Sequence, residues 1–275
     1  MNYLQFDFET ESAEQLEQLV ALLNDEGFEG FEEEDHCLKS YISETKFDEE
    51  SFSRVLNLFS SIIYTRTSVE NINWNQKWEQ DFKPVVIDDF VAIRAGFHLP
   101  VKGVKQEIII TPKMSFGTGH HATTYLMVQQ MNLLDFTGRS VLDFGTGTGV
   151  LAILAEKLGA TNVLAIDYDE WSITNTRENI GLNNCSKIEV ALLNEIPVDR
   201  KFDIVLANIN LNVIVAGMSS IATVVNRGGQ VLLSGFLKEN EHVMIQTLES
   251  AGLRYAFTVQ KGDWITILAH SETSG

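Results

Sequence analysis

Short apolar runs alternate with longer amphipathic stretches through the second half of the chain. Five of these runs are rich in Val, Ile, Leu and Ala, and they lie at residues 141–144, 162–166, 188–192, 204–207 and 231–234. Runs of this kind are typical of parallel strands that are buried on both faces. Two further runs, at 254–259 and 264–270, flank Lys261 and Gly262 and predict a closing hairpin. The pattern predicts an α/β domain with a seven-stranded, doubly wound sheet whose last pair of strands is antiparallel.

The first 70 residues show a different pattern. Residues 4–8 alternate apolar and polar positions, as a half-buried strand does. Residues 13–25 carry apolar side chains at helical spacing after Ser12, which predicts a capped helix. Further strands are predicted at 28–33, 37–42 and 62–69, and a second helix is predicted at 52–59. The order strand, helix, strand, strand, helix, strand is that of a small α+β ferredoxin-like domain, which we place at residues 1–70.

A tryptophan-rich stretch separates these two regions. Trp74, Trp78 and Phe82 recur at every fourth position, so a helix would carry all three rings on one face. The pattern ends at a proline, which cannot continue a helix. We therefore predict a linker helix at residues 71–84, and the α/β domain occupies residues 85–275.

The first strand of the α/β domain leads into a D-x-G-x-G-x-G turn, which runs from Asp143 to Gly149. Its glycines let a ligand approach the backbone and the start of the following helix. Val150 stands where the dinucleotide motif G-x-G-x-x-G requires its third glycine, which argues against a dehydrogenase. A carboxylate beside the turn suits a cationic amino acid, such as the methionine end of S-adenosylmethionine (AdoMet). We expect Asp143, Gly145 and Gly147 to bind that cofactor.

An acidic residue follows the next strand. Asp167 lies 22 positions after Gly145, at the spacing where a carboxylate at a strand end meets ribose hydroxyls. The alternative role of helix cap is better filled by Asp169 or Ser172. Together the two motifs favour a Rossmann-like class I methyltransferase fold, with AdoMet as cofactor, over a dehydrogenase.

A second glycine-containing loop, FGTGHHATT at residues 116–124, precedes a predicted helix. Its two glycines and Ala122 satisfy the relaxed dinucleotide pattern G-x-G-x-x-A, but no acid at a strand end follows at the required distance. We interpret this loop as a flap over the cofactor site. His120 and His121 are adjacent, so their side chains point apart, and we expect no shared metal ion.

The negative charge is concentrated at one end of the chain. Residues 1–60 hold 16 acids and 3 bases, a net charge of −13 out of −18 for the whole sequence. An acidic surface attracts basic proteins and repels phosphate backbones. We therefore expect a basic protein partner and no direct binding of nucleic acid. The alternative is that these acids only keep a small domain soluble.

Cysteine use and hydropathy bear on the compartment. Cys37 and Cys185 have neither metal-binding nor redox spacing, and we interpret both as reduced thiols. No apolar run approaches the ~20 residues of a membrane span, and the acidic start is unlike a signal peptide. We expect a cytoplasmic protein that acts as a monomer and does not bind membranes.

Several stretches together resemble one family, the ribosomal protein L11 methyltransferases, which modify a protein of the large-subunit stalk base. The resemblance covers essentially the whole chain and includes the small domain, the W-x-x-x-W-x-x-x-F-x-P stretch, FGTGHHATT, DFGTGTG, the acidic triplet at 167–169 and Ala-Asn-Ile at 207–209. FGTG-x-H-x-TT is the most specific of these motifs. The resemblance implies transfer of methyl groups from AdoMet to lysine ε-amino groups, and to the N-terminal α-amine, of a basic large-subunit ribosomal protein.

The resemblance also implies roles for individual residues. The cofactor contacts that it implies are Phe116, Thr124, Gly145, Asp167 and Asn208. His121 and Thr123 would border the methyl-transfer site and contact the substrate. Asn208 would orient the amine, and His121 is the one candidate for a general base. Two positions depart from the family pattern, since Ala122 replaces a common proline and Asn210 replaces an apolar residue.

Three other functions stay open at this point. A different protein N-methyltransferase, such as one acting on glutamine, would carry Asn-Pro-Pro-Tyr where this chain has Asn-Ile-Asn-Leu at 208–211. A dehydrogenase is disfavoured by Val150. A non-catalytic AdoMet-binding module for ribosome assembly would share the cofactor motif and lack turnover.

Overall fold

The computed structural model describes residues 3–9, 12–34, 37–59, 62–69, 82–112 and 117–272. The chain divides into two compact units, Met1–Asp81 and Phe82–Gly275. The predicted linker helix at 71–84, with Trp74 and Trp78, lies almost entirely outside the described residues.

The first unit is a four-stranded antiparallel sheet with two helices. Its elements are β1 (Tyr3–Glu9), α1 (Ala13–Asp25), β2 (Gly30–Glu34), β3 (Cys37–Ser43), α2 (Glu49–Leu56) and β4 (Ile63–Val69). The strand order is β2-β3-β1-β4, and every neighbouring pair is antiparallel. This order confirms the predicted ferredoxin-like arrangement.

Alternation along β1 builds the core of this unit. Phe6 and Phe8 are completely buried and pack with side chains from both helices, among them Leu19 and Phe52. The intervening polar residues face the other side of the sheet, as the period of two requires. The side chain of Ser12 accepts a hydrogen bond from a backbone N–H of the first turn of α1, which confirms the predicted cap.

The second helix differs from its prediction. It covers Glu49–Leu56 instead of residues 52–59. Asp48 explains the earlier start, because its carboxylate accepts the Ser51 N–H at 3.1 Å and so caps the helix.

The second unit begins with a three-stranded sheet. Its strands are β5 (Val85–Ile87), β6 (Val91–Ala95) and β7 (Gln106–Ile110), in that order. Between β5 and β6 the chain turns at Asp88, whose φ of 51° lies in the left-handed region. Arg94 is buried and its guanidinium pairs with the Glu107 carboxylate, which ties β6 to the start of β7.

A seven-stranded sheet forms the centre of the second unit. Its strands are β8 (Ser140–Phe144), β9 (Asn162–Asp167), β10 (Ile188–Leu192), β11 (Phe202–Asn208), β12 (Val225–Leu237), β13 (Leu253–Lys261) and β14 (Trp264–Ser271). The order is β10-β9-β8-β11-β12-β14-β13, and the first five strands are parallel while β13 and β14 pair antiparallel. The predicted doubly wound sheet is confirmed.

Helices cover both faces of this sheet. They are α3 (Ala122–Met131), α4 (Val150–Lys157), α5 (Glu170–Leu182), α6 (Leu211–Val224) and α7 (Glu241–Ser250). Successive strand residues face opposite apolar clusters: Val141 and Leu206 pack toward α3 and α4, whereas Leu142 and Val205 pack toward α6 and α7. None of the described helices has both the length and the apolar character that a membrane crossing requires.

Strand β12 is longer than predicted. The glycine pair at 228–229 lies inside it instead of before it, because Val225 already pairs with Phe202 ahead of a register shift. A Cβ atom at Gly229 would come within 2.8 Å of the Asp203 carbonyl oxygen. The glycine therefore permits a close approach of two backbones within the sheet.

Candidate active site

A cleft of about 430 Å³ opens at the carboxyl ends of β8, β9 and β11. The helices after β8 and β11 lie on opposite faces of the sheet, so a crevice forms where these two neighbouring strands diverge into them. A cleft of this volume is typical of small-molecule sites. Its walls include Gly145, Gly147, Asp167, Tyr168, Asn208 and Trp264.

The glycine turn opens the cleft by lacking side chains. A Cβ atom at Gly145 would come within 2.2 Å of the Ile209 Cγ2 atom, and the φ of 78° at Gly145 is left-handed. The backbone N–H groups of Gly145 and Thr146 donate to the Ile166 carbonyl oxygen, and that of Gly147 donates to the Asp167 carboxylate. These three donors are used within the turn, so it is the bare surface of Gly145 and Gly147 that faces a ligand.

Asp143 supports the turn from inside the protein. It is completely buried, and its Oδ2 atom accepts hydrogen bonds from the Thr146 hydroxyl at 2.7 Å and the Ala152 N–H at 3.2 Å. Burial raises the pKa of this carboxyl to about 7. Asp143 thus joins β8, the turn and α4 from inside the protein, and its contact with the cofactor stays a prediction.

Asp167 reaches the cleft surface from the end of β9. Its two carboxylate oxygens accept the N–H groups of Gly147 at 2.9 Å and Asp169 at 3.1 Å. These two bonds fix the side-chain rotamer and leave lone pairs on the same oxygens. The carboxylate is thus held in place on the wall beside the glycine turn.

Asn208 ends β11 and lies on the opposite side of the turn. Its amide Nδ2 donates to the Thr124 hydroxyl at 3.2 Å, and only 7% of the residue is exposed. Its Oδ1 atom has no hydrogen-bond partner among the described residues. Thr124 itself is buried and lines a small space beside the main cleft, together with Gly117 and Gly145. A buried amide oxygen without a donor is costly unless a ligand supplies one.

His121 forms a wall of the cleft at the start of α3. Its Nδ1 atom lies 2.8 Å from the Thr123 hydroxyl and accepts the Thr123 N–H at 3.3 Å, so the imidazole caps the helix. The Trp264 ring stands edge to face against it, with the ring centres 4.6 Å apart. Thr123 is completely buried and orients the His121 ring, and its contact with substrate stays a prediction.

Phe116, the remaining predicted cofactor contact, lies outside the described residues. The structure also adds cleft residues that the sequence analysis did not assign, notably Tyr168, Leu193 and Trp264. Trp264 comes from the far end of the chain. The β13–β14 hairpin brings it over α3, where Lys261 Nζ lies 3.7 Å from the centre of the Tyr125 ring.

Comparison with known proteins decides the family. The family model described as ribosomal protein L11 methyltransferase (PrmA) matches residues 6–272. The chain belongs to this family. A ribosomal protein L11 methyltransferase from Phocaeicola vulgatus is 36% identical over 276 residues, which cover 97% of this chain and 98% of that protein. Another from Porphyromonas gingivalis is 39% identical over 259 residues, or 90% of this chain and 88% of that protein.

Solved structures agree with this assignment. The ribosomal protein L11 methylase of Lactobacillus delbrueckii subsp. bulgaricus matches with a TM-score of 0.65 and 30% identity, over 70% of this chain and 100% of that chain. A methyltransferase from Pyrococcus furiosus matches with a TM-score of 0.52 and 20% identity, over 61% of this chain and 90% of that chain, and shows the shared fold. The resemblance predicted from the motifs is confirmed, and the fold is that of the class I methyltransferases.

The buried carboxyl of Asp143 predicts a specific pH dependence of stability. Because its pKa is raised to about 7 in the folded state, the folded protein binds this proton more tightly than the unfolded chain does. The protonated Asp143 carboxyl therefore contributes fully to the free energy of unfolding below pH ~4, and this contribution is lost as the pH rises toward 7. Asp143→Asn removes this dependence, so its free energy of unfolding relative to wild type should rise by roughly 2–4 kcal/mol between pH 4.5 and 8.

Urea unfolding of both proteins across this pH range measures the difference. Other titrating groups are common to the two proteins and cancel. A stability difference that does not change with pH would show that Asp143 is ionised throughout and that its burial does not raise its pKa.

Proposed function

We propose that this chain transfers methyl groups from AdoMet to amino groups of the large-subunit ribosomal protein L11, at lysine ε-amines and at the N-terminal α-amine. Family membership supports the reaction and the substrate named in its relatives. The observation that carries the proposal is the pairing, across one cleft, of a fixed carboxylate at Asp167 with an unsatisfied amide oxygen at Asn208. The first suits ribose hydroxyls and the second suits an amine.

The residues of the cleft fit the methyl donor. Asp167 would accept the ribose hydroxyls, and Tyr168 and Leu193 offer apolar surface for the adenine ring. The glycine turn leaves room for the methionine portion, because neither Gly145 nor Gly147 carries a side chain. When bound, AdoMet supplies a methyl group on a positively charged sulfur, which leaves as a neutral thioether once an amine attacks in line.

The acceptor amine must be neutral before it can attack. A lysine has an ordinary pKa near 10.4, so at pH 7 about 3 pKa units favour the unreactive ammonium form. Desolvation lowers that pKa, and the Trp264 ring, which packs edge to face against His121, gives this part of the cleft an apolar surface. The Asn208 Oδ1 atom would accept an N–H of the amine and direct its lone pair toward the methyl group.

His121 is the candidate to remove the proton that the amine releases. Its Nδ1 atom lies beside the Thr123 hydroxyl and accepts the Thr123 N–H, which holds the imidazole at the cleft wall. Because His121 both caps α3 and lines the cleft, its ring position is fixed relative to Asn208 through Thr124 on the same helix.

The first unit would hold the protein substrate. It carries most of the net negative charge of the chain, and no candidate catalytic residue lies in it. A basic ribosomal protein is attracted to such a surface, whereas an RNA backbone is repelled. The division supports a separate substrate-recognition role for residues 1–70.

The first test concerns the methyl donor. Asp167→Ala should weaken AdoMet binding by roughly 1.5–3 kcal/mol, because buried ribose hydroxyls lose a charged acceptor. Calorimetry on the purified protein measures the affinity, and Asp199→Ala, which removes an exposed acid of the same unit, is the matched control. Unchanged affinity would remove Asp167 from the site, and tighter binding of a nicotinamide dinucleotide would contradict the proposal as a whole.

The second test separates turnover from binding. Asn208→Ala should lower kcat on the order of 10²-fold while AdoMet affinity changes less than about threefold, because orientation of the amine matters most in the transition state. Steady-state assays at saturating L11 measure kcat, and calorimetry measures the AdoMet affinity. Asn132→Ala, at the exposed far end of α3, should change neither. Equal losses in both would make Asn208 a cofactor contact alone.

The third test concerns the charged unit. The kcat/KM value for L11 should fall as salt rises from ~0.05 to ~0.5 M, because the Debye length shrinks about threefold over this range. Neutralising three exposed acids of the first unit, by Asp25→Asn, Glu26→Gln and Glu44→Gln, should make this salt dependence less steep. The kinetics are measured with L11 below its KM.

A matched triple variant controls for net charge alone. Asp199→Asn, Glu239→Gln and Glu249→Gln remove the same number of exposed acids from the second unit. This control should keep the salt dependence of the wild type. The same reduction in both variants would show that the first unit has no special role and that its charge serves solubility.

A further inference from the structure

Thr148 stands between two glycines of the D-x-G-x-G-x-G turn and is completely buried. Its hydroxyl donates to the Gly117 carbonyl oxygen at 2.8 Å. Its own carbonyl oxygen accepts a hydrogen bond from the side-chain amide of Asn179, also at 2.8 Å. The turn is therefore bonded on one side to the loop that leads into α3, and on the other side to α5.

A ladder of asparagines on α5 continues this connection. The Asn179 Oδ1 atom accepts the Thr111 N–H at 2.7 Å. One turn later, the Asn183 side chain accepts the Ile109 N–H at 3.0 Å and donates to the Ile109 carbonyl oxygen at 2.6 Å. Strand β7 is an edge strand of its sheet, and these amides pair with its backbone as a neighbouring strand would.

These contacts join Thr111 and Gly117 to the same residue of the glycine turn. Thr111 reaches Thr148 through Asn179, and Gly117 reaches it directly. Four residues after Gly117, His121 begins α3, which also supplies Thr124 to Asn208. The positions of His121 and Thr124 therefore depend on the glycine turn that faces the cofactor.

The loop has a second contact, and it is apolar. A Cβ atom at Gly119 would lie 2.8 Å from Ile93 Cδ1 and 3.4 Å from Val85 Cβ, so the loop backbone packs directly on β5 and β6. This packing resists displacement but provides no direction. The hydrogen bond from the Thr148 hydroxyl is directional, so it fixes where the Gly117 carbonyl lies relative to the glycine turn.

We propose that Thr148 is a positioning residue that holds the 117–121 loop against the glycine turn, and so places His121 and Thr124 opposite Asn208. The inference rests on the proposed methyl transfer and assigns Thr148 no contact with either substrate. Thr148→Val keeps the shape and removes the donor, which leaves the partly buried Gly117 carbonyl without that hydrogen bond. Thr148→Ser keeps the donor.

Hydrogen exchange of the cofactor-free protein tests the structural part without any assay of activity. In Thr148→Val, the backbone amides of residues 118–123 should exchange about tenfold faster, since the loop has lost the partly buried hydrogen bond that attaches it to the turn. Thr148→Ser should exchange like the wild type. Thr176→Val is the matched control, because the Thr176 hydroxyl donates to the neighbouring Gly147 carbonyl oxygen at 2.8 Å and holds the same turn to α5.

Kinetics test the functional part. Thr148→Val should lower kcat for L11 about tenfold and change the AdoMet affinity less than about threefold. Thr148→Ser and Thr176→Val should both keep the kcat of the wild type. Unchanged exchange in Thr148→Val, or an equal loss of kcat in Thr176→Val, would overturn the proposal. So would a loss of AdoMet affinity as large as the loss of kcat. If Thr148→Val exchanges faster than the wild type but the wild type does not methylate L11, the proposed function fails and the role of Thr148 in holding the loop stands.

Discussion

The cleft depends on how closely three stretches of backbone approach one another around Ile209. A Cβ atom at Gly145 would overlap the Ile209 side chain at 2.2 Å, and one at Gly235 would overlap the Ile209 carbonyl oxygen at 2.0 Å. Ile209 is thus enclosed between the turn after β8 and the end of β12. The position of the neighbouring Asn208 is fixed in the same way. Its amide lies at the cleft because Gly145 and Gly235 leave space for Ile209 beside it.

Some polar groups near the cleft are hydrogen-bonded within the protein, whereas others are buried acceptors without a partner among the described residues. The Asp167 carboxylate and the Thr148 hydroxyl form hydrogen bonds within the protein that keep their neighbours in place, and the Asp167 oxygens still hold lone pairs for a ligand. The Asn208 Oδ1 and Asp143 Oδ1 atoms are buried without a hydrogen-bond partner among the described residues. A group of the first class makes the site rigid, whereas an unsatisfied acceptor on the cleft wall gains free energy only when a donor arrives. Asn208 belongs to that second class and faces the cleft, while Asp143 is enclosed beneath the turn.

Local signals in the sequence were sufficient for most of the fold. Apolar runs located the parallel strands, and Ser12 located the start of α1 through its side-chain oxygen. Asp167 could be placed in the cleft because a strand end and a fixed distance from the glycine turn define its position. Such features depend on residues that are near one another along the chain.

Features that depend on distant contacts could not be read in this way. Trp264 lines the cleft because a hairpin lies over α3, and nothing in its own neighbourhood indicates that. Thr123 and Thr124 are adjacent in one motif, yet one orients His121 and the other meets Asn208 across the site. Asp143 is the most recognisable acid of the turn motif, but its complete burial and its hydrogen bond to the Ala152 N–H, which joins the strand to α4, depend on the folded structure.

The distribution of charge along the chain agrees with the chemistry of an amine acceptor. Negative charge close to a lysine stabilises its ammonium form and raises its pKa, which opposes the attack on a methyl group. Of the net charge of −18, residues 1–60 carry −13 and the remaining 215 residues carry only −5. The part of the chain that builds the cleft is therefore close to neutral for its size. Attraction of a basic protein and deprotonation of an amine make opposite electrostatic demands, and the uneven charge would allow the two units to meet them separately.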